Sequence, residues 1–274
     1  MKADLHNHSF YSDGVLSPKE LVMLASKASC DMFSLTDHDT TEGVIEAKSQ
    51  AEKIDLSFIS GVEISAFWKN STIHIVGLGI DINSDFLQSG LDFNKSLRKD
   101  RAEKIAIGLL RCGIKDALEK AQNISGGHML TRTHFAQMLI QEGYCKDMKS
   151  VFRRYLIGKK PGGVSVEWKS FDEVINWIQS AGGKAFIAHP FRYGMTRTKI
   201  RQMLIDFKKA KGDGIEVVNA NSSEDEIALG NQWSIEFDFI SSCGSDFHGW
   251  PNQRIKIGDI KELPNPGKAV WSYL

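Results

Sequence analysis

The sequence predicts an α/β protein built on a parallel, barrel-forming sheet, and three observations lead there. Seven short β-like runs recur along the chain, helical patterns follow several of them, and each run ends at or carries a histidine or a carboxylate. A charged, helix-patterned stretch from 84 to 163 breaks the rhythm and reads as an insertion. The chain is thereby divided into a first barrel part (1–83), a helical cap (84–163) and a second barrel part (164–274).

The runs, in order, are Lys2–Leu5 before His6, Met32–Thr36 before Asp37-His38, Leu56–Gly61 leading to Glu63, and Thr72–Leu78 containing His74. They continue with Lys184–Ala188 before His189, Gly214–Val218 containing Glu216, and Phe239–Cys243 before Asp246 and His248. After the first run, Ser17-Pro18-Lys19-Glu20 spells a helix start. Ser17 is the N-cap, Pro18 takes the first helical position and Glu20 the third, with Leu21, Leu24, Ala25 and Ala28 at helical spacing. A second helix is expected from Thr41 to Ile54, and a third from Phe171 to Ala181, stopped by Gly182-Gly183. In the insertion, Leu91, Leu97, Ile105, Leu109, Phe135, Leu139, Val151, Tyr155 and Leu156 form apolar stripes. Gly126-Gly127 punctuates it, and Pro161-Gly162-Gly163 reads as the hinge back to the barrel. No repeat of 20–50 residues and no low-complexity tract is visible.

Composition narrows the function classes. The 274 residues are 42% hydrophobic, 25% charged and 9% aromatic, ordinary values for a folded chain with a large core. Lys+Arg and Asp+Glu balance at 34 each, which lends no support to wrapping long duplex nucleic acid or lying on a membrane, and leaves a small anionic substrate open. The four cysteines, Cys30, Cys112, Cys145 and Cys243, form no CxxC pair, as in a reduced cytoplasm. The chain start reaches charge and histidine at once and no stretch approaches a bilayer span, so a cytoplasmic protein is expected. Oligomeric state is left open.

The chemistry concentrates where the runs end. In Asp4-Leu5-His6-Asn7-His8-Ser9, His6 and His8 are two apart on an extended backbone and so share a face. Asp13, His38, Glu63, His74, His189, Asp246 and His248 complete a set of nine strand-end ligand types. Neutral imidazoles suit zinc, manganese or iron, and carboxylates offset charge and bridge ions. At roughly three to five protein ligands per ion, nine are too many for one metal and suit two or three.

These motifs together resemble the polymerase-and-histidinol-phosphatase (PHP) family of metal-dependent phosphoesterases. The resemblance rests on Asp4–Ser9 with trailing Ser12-Asp13-Gly14, Thr36-Asp37-His38-Asp39-Thr40, Gly61-Val62-Glu63-Ile64-Ser65, His74-Ile75-Val76-Gly77, Ala188-His189-Pro190-Phe191-Arg192-Tyr193 and Gly244-Ser245-Asp246-Phe247-His248. Within the insertion, Thr131–Ala136, Arg154-Tyr155-Leu156 and Gly158–Gly162 are similar to one subgroup, the 3′,5′-nucleoside bisphosphate phosphatases with the RNA-trimming RNase AM enzymes. The resemblance implies a distorted seven-stranded (β/α) barrel, akin to a TIM barrel, with a trinuclear site, commonly manganese, sometimes with zinc or iron. His6, His8, Glu63 and Asp246 would hold the first ion. Glu63 would bridge to a second, completed by His74 and His189, while Asp13, His38 and His248 would hold the third. Phe191 departs from the small residue often found there and bears on the shape of the pocket wall.

The expected reaction is hydrolysis of a phosphate ester by hydroxide bridging two of the ions, with the third on phosphate oxygens. Asp37, Asp39 or a metal-bound water are candidates for the general acid, although Asp37 can instead orient a ligand histidine. For a second anionic group, the expected contacts are Arg132, His134, Lys160 and Arg192. His128 reads as a loop residue, Glu216 as a supporting carboxylate, Lys208-Lys209-Ala210-Lys211 as a helix end, and Trp250 as the tryptophan placed to stack on a nucleobase. The leading expectation is removal of the 3′-phosphate from nucleoside 3′,5′-bisphosphates, with 5′-to-3′ trimming of short 5′-phosphorylated RNA. The alternatives are a phosphatase of another small monoester such as histidinol phosphate, and a non-catalytic module that kept the metal site.

Overall fold

The computed structural model describes residues 1–250 and 254–274. Its seven strands lie side by side in chain order: β1 (Ala3–Asp4), β2 (Met32–Leu35), β3 (Ser57–Trp68), β4 (Ser71–Leu78), β5 (Lys184–Ile187), β6 (Gly214–Asn219) and β7 (Ile240–Gly244). The sheet curls until its edges meet. Leu5 donates its N–H to the Cys243 carbonyl (3.1 Å), Asp246 donates to His6 (2.8 Å) and His8 to Phe247 (2.9 Å), so the chain beyond β1 pairs with the chain beyond β7 and little edge is left exposed. The result is the expected distorted seven-stranded α/β barrel.

One expectation is corrected. The third run does not stop at Gly61; β3 continues to Trp68, turns through Lys69-Asn70 and returns as β4, antiparallel to both β3 and β5. Two residues can close a hairpin, whereas a parallel crossover needs about a dozen, so this spacing forbids a helix between the two strands. Glu63 and His74 therefore sit within strands, not at their ends. Alternation along β3 sends Val62, Ile64 and Ala66 into the main apolar core and leaves Glu63 and Ser65 on the opposite face.

Helices pack outside. In α1 (Pro18–Lys27), Ser17 and Glu20 cap each other's backbone as the sequence anticipates. The second helix, α2 (Val44–Lys53), begins three residues later than expected, because Gly43 holds the N-cap place and the Thr41 hydroxyl accepts a bond from Gln88 (2.9 Å).

Residues 84–163 are largely helical: α3 (Asp85–Leu110), α4 (Ala117–Ile124), α5 (Arg132–Gln141) and α6 (Met148–Val151), which runs into a π-helical turn at Phe152–Leu156. They share a second apolar cluster that includes Ile105, Leu109, Phe135, Leu139, Val151 and Leu156. The first turns of α3 belong to the other body, with Leu87 and Leu91 in the barrel core. Packing thus changes hands inside α3 and not at residue 84. The barrel resumes with α7 (Phe171–Ser180), α8 (Arg197–Lys209) and α9 (Glu224–Glu236). Among the described residues, no helix is long and apolar enough to cross a membrane.

Candidate metal centre

Barrel closure delivers the first ligands. His6 and His8 lie in the extended segment that pairs with β7, and their ring centroids are 5.2 Å apart. That approach depends on Gly244, where a Cβ would come within 2.2 Å of the His6 Cβ. Asp13 sits in a tight loop closed by Gly14, whose Cβ would strike the His8 carbonyl oxygen. His38 follows β2 and bridges to Glu63. The hairpin sets Ser65 opposite His74, so His74 is the diagonal neighbour of Glu63 across the strand pair. His189 follows β5, and Asp246 and His248 follow β7.

All nine expected ligand types converge, with Glu63 as the hub. Its Oε1 lies 2.9 Å from His74 Nδ1, 3.0 Å from His189 Nε2 and 3.3 Å from His6 Nε2, while Oε2 lies 2.8 Å from His38 Nδ1 and 3.3 Å from His8 Nε2. Asp246 Oδ1 is 3.0 Å from His8 Nε2, and Asp13 Oδ1 is 3.2 Å from His248 Nε2. The donors form four overlapping groups, each within a 4.8 Å span: His8, Asp13, His38 and His248; His6, Glu63 and His189; His6, His8 and Asp246; His38, Glu63 and His74. This partition differs from the implied one: Glu63 stands outside the His6–His8–Asp246 group, and His6 and His38 each join a Glu63 group. His8 also joins the Asp13 group, and His74 and His189 fall into separate groups although both face the same Glu63 oxygen.

The fit to cations can be judged from these donors alone. His6 Nε2, both nitrogens of His8, Asp13 Oδ1, His38 Nδ1 and His189 Nδ1 are buried and form no hydrogen bond among the described residues. His38 Nδ1 is close to Glu63 Oε2 but off the line a hydrogen bond requires. His6 Nε2, His8 Nε2 and Asp13 Oδ1, buried among other ligand types and without a hydrogen bond among the described residues, make the arrangement a coordinated ion completes.

Their electrostatics agree. Burial opposes charge throughout, but His38, His74 and His6 hold Glu63 well below the usual carboxylate range; the neighbouring histidines, chiefly His248, do the same for Asp13 and Asp246. Despite burial, Glu63, Glu216 and Asp246 hold His6 well above the ordinary imidazole value, and Asp13 and Asp246 raise His248 to about 9. His8 goes the other way, to about 3, through burial and the adjacent His248 and His38.

Glu216 supports the cluster as the sequence suggests. His6 Nδ1–H donates to it (2.9 Å), which turns Nε2 toward the other ligands. The candidate acids do something else. Asp37 accepts bonds from the Ser9 N–H (2.7 Å) and from the Ser9 and Ser12 hydroxyls (2.6 Å each), so it shapes the loop that carries Asp13. Asp39 accepts from Arg98 Nε (2.7 Å), Asn94 Nδ2 (2.7 Å) and the Ser65 N–H (2.8 Å). Neither lines the cavity over the cluster. With their lone pairs committed to neighbours, both residues position the site and are poorly placed to pass it a proton. Asp39, His189 and Asp246 all have left-handed backbone, φ +48°, +28° and +55°, which places three of the rare non-glycine cases at this one site.

A cavity of about 240 Å³ opens over the cluster. Arg132 lines it, 5.7 Å from the centre of the Phe152 ring. Arg192 lines it too, but its Nη1 is paired with Asp246. His134 does not reach the cavity; its Nδ1 accepts the Thr131 N–H (3.1 Å) and caps α5. Lys160 lies in an exposed turn away from the cavity. Trp250 lines the cavity and packs on His248 (4.3 Å between centroids), with Nε1 donating to the Asp13 carbonyl (2.7 Å). Phe191 stacks on Trp233 (5.7 Å) and is not part of the wall, so that departure leaves the cavity unchanged.

Among the lining residues that sequence reasoning missed are two arginines and a tryptophan. Arg98 and Arg101 come from α3, and Trp168 precedes α7. Arg101 Nε and Trp168 Nε1 are buried and have no hydrogen-bond partner among the described residues. Arg101 has the additional feature that burial, then Arg132 and Arg98, depress its guanidinium to about 8. Asn94, Arg98 and Arg101 at i, i+4 and i+7 on one helix face were the available signal.

Comparison with known proteins agrees with this geometry. The PHP-domain model matches residues 4–186, more than half of the chain. The chain belongs to the PHP-domain family. It is 39% identical over 272 residues to the 3′,5′-nucleoside bisphosphate phosphatase of Chromobacterium violaceum, which spans 99% of this chain and 95% of that protein. It is 40% identical to a 5′-3′ exoribonuclease of Haemophilus influenzae (98% of each chain) and 36% identical to the 5′-3′ exoribonuclease Rnm of Escherichia coli (98% and 92%). Among solved structures, an amidohydrolase from Chromobacterium violaceum with bound sulfate superposes with a TM-score of 0.94 at 39% identity, over 100% of this chain and 95% of that one. A proposed metal-dependent phosphoesterase from Bifidobacterium adolescentis shares the PHP fold at 24% identity, with a TM-score of 0.82 over 93% of this chain and 92% of that one.

Proposed function

We propose that this PHP-domain protein is a metal-dependent hydrolase that removes the 3′-phosphate of nucleoside 3′,5′-bisphosphates and trims short 5′-phosphorylated RNA from its 5′ end. The observation that carries the reading is the pairing, in one cavity, of a buried imidazole–carboxylate cluster with Arg101, Arg132 and the Trp168 N–H. The cluster suits the reacting phosphate, and the second set suits another phosphate of the same molecule. Relatives at 36–40% identity bear both activities' names.

His6, His8, Asp13, His38, Glu63, His74, His189, Asp246 and His248 would hold two or three divalent ions, manganese by preference with zinc or iron acceptable to the same donors. When bound, such ions acidify water and offset the charge of an already anionic phosphate. The chain's own part is orientation. Glu216 fixes the His6 ring, Asp37 and Asp39 hold the Asp13 and Glu63 segments, and Arg101, Arg132 and Trp168 bind the distal phosphate. Arg192 pairs with Asp246 and offers its remaining N–H groups to the cavity. Unpaired cysteines and the lack of a membrane-crossing helix among the described residues support a cytoplasmic enzyme.

The test is phosphate release from adenosine 3′,5′-bisphosphate, histidinol phosphate and a short 5′-phosphorylated RNA, before and after chelation. Turnover of the bisphosphate and the RNA, lost on chelation and restored by Mn²⁺, is expected, with the His8→Ala protein inactive. Preference for histidinol phosphate, or an active His8→Ala protein, would overturn the proposal.

A further inference from the structure

Beside the metal cavity lies a larger cleft of about 700 Å³. Three chain segments form the wall between them, and each faces both ways. The loop after β1 gives Asp13 to the cavity and Tyr11 to the cleft. Helix α3 gives Arg101 to the cavity and Lys95 and Lys99 to the cleft, with Arg98 lining both. The stretch that leads into α5, with the first turn of that helix, gives Thr131–Thr133 to the cavity and His128–Leu130 to the cleft. Asp13 and Tyr11, two residues apart in one loop, set the metal ligands of the cavity next to the aromatic side of the cleft.

The cleft has the chemistry of a single-stranded polynucleotide track. His128, which reads from sequence as an exposed loop residue, is half-buried and stacks on Phe10 (5.0 Å, 21°) and against Tyr11 (4.7 Å), making an aromatic platform. Lys99 is exposed and forms no ion pair among the described residues. Lys95 is shared by Glu42 (3.0 Å) and Asp92 (3.6 Å), and Glu103 adds a further negative charge, so the lining is only weakly cationic. Aromatic faces with sparse, placed cations suit one or two nucleotides of a single strand, since every base has a π-face and each phosphate needs one cation. A long duplex would demand a far more basic surface.

We infer that this cleft holds the part of an RNA substrate that lies 3′ of the scissile phosphate, with bases on the Tyr11–His128 platform and a phosphate on Lys99. The inference rests on the RNA-trimming part of the proposed function. A nucleoside bisphosphate ends at the reacting phosphate and would leave the cleft untouched, so the two substrates separate the two sites.

The experiment measures KM for a 5′-phosphorylated hexaribonucleotide and for adenosine 3′,5′-bisphosphate in the Mn²⁺-loaded wild type, in Lys99→Glu and in His128→Ala. Expected is a rise on the order of tenfold in KM for the hexamer in each variant, with a weaker salt dependence in Lys99→Glu and an unchanged KM for the bisphosphate. Lys99 is exposed, so its replacement leaves the fold intact if His128→Ala proves unstable. Unchanged hexamer kinetics, or equal shifts for both substrates, would overturn the cleft's role while leaving the phosphatase reading in place. A wild type that turns over neither substrate would overturn that reading and this inference with it.

Discussion

Arg101 combines a buried, unpartnered Nε with two neighbouring guanidiniums, Arg98 and Arg132, that together with burial lower its affinity for its own proton. An arginine keeps that proton in a protein, so the field expresses itself as demand for a counter-anion. Replacing Arg101 by Ala is expected to raise KM for a 3′,5′-bisphosphate roughly thirtyfold, about 2 kcal/mol for a charge-assisted bond, and to move KM for a simple phosphomonoester far less. Steady-state kinetics on both substrates checks this, and equal changes would assign Arg101 to the fold. The contrast with the ligands shows what was legible in the sequence. Histidines and carboxylates at the ends of β-like runs have few purposes, and all nine converge. A charge on a helix has an ordinary solvated reading, which concealed Arg98 and Arg101. His134 was misjudged for a similar reason: Thr131-Arg132-Thr133-His134 spells both a phosphate motif and a helix cap, and the backbone N–H of Thr131 claims the imidazole. Asp37 and Asp39 look like spare acids beside His38 until the neighbours that consume their lone pairs, 25 to 59 residues away in the chain, are placed.

At the scale of elements, α3 joins two bodies. Near its start Leu87 and Leu91 pack in the barrel core, and near its end Ile105 and Leu109 pack with α5. Between them Asn94 and Arg98 bind the buried Asp39 and also reach Ser65, the Asn94 amide donating to the Ser65 carbonyl (2.9 Å) and Arg98 Nη2 to the hydroxyl (2.9 Å). Removing one partner of a buried pair leaves the other charge uncompensated. Arg98→Ala is therefore expected to destabilise the protein by about 3–5 kcal/mol in urea unfolding, and a loss below about 1 kcal/mol would contradict the network. The seven strands were readable from their runs, apart from β3, which continues beyond the expected Leu56–Gly61 to Trp68 and pairs there with β4. The hairpin follows from chain length alone, because Lys69-Asn70 leaves no room for a crossover. The sharing of α3 was not readable, since the stripe Leu87, Leu91, Ile105 and Leu109 does not say which apolar partner each residue meets.

For the whole molecule, the raised values of His6 and His248 tie proton binding, metal binding and stability together. His248, lifted from 6.5 to about 9 by Asp13 and Asp246 against the effect of burial, stabilises the chelated protein below 6.5, and that contribution is lost as pH rises through 9. A metal needs the unprotonated ring, so its affinity grows over the same window. Thermal melts from pH 6.5 to 9 should show the chelated protein weakening while the gain in Tm on adding Mn²⁺ becomes larger. A gain that shrinks with pH would contradict the assignment of these histidines.

The closure of the barrel has a consequence for how the protein is made. The Ser245 hydroxyl donates to the Asn7 side chain across 238 residues of sequence, and the backbone of His6 and His8 pairs with residues just beyond β7. On the ribosome β1 emerges first and its partner β7 last, so the centre can assemble only after nearly all of the barrel has been synthesised. A chain cut short before β7 keeps the His38, Glu63 and His74 group but lacks Asp246, His248 and the pairing that brings in His6 and His8, so the complete donor set exists only once the last strand is in place.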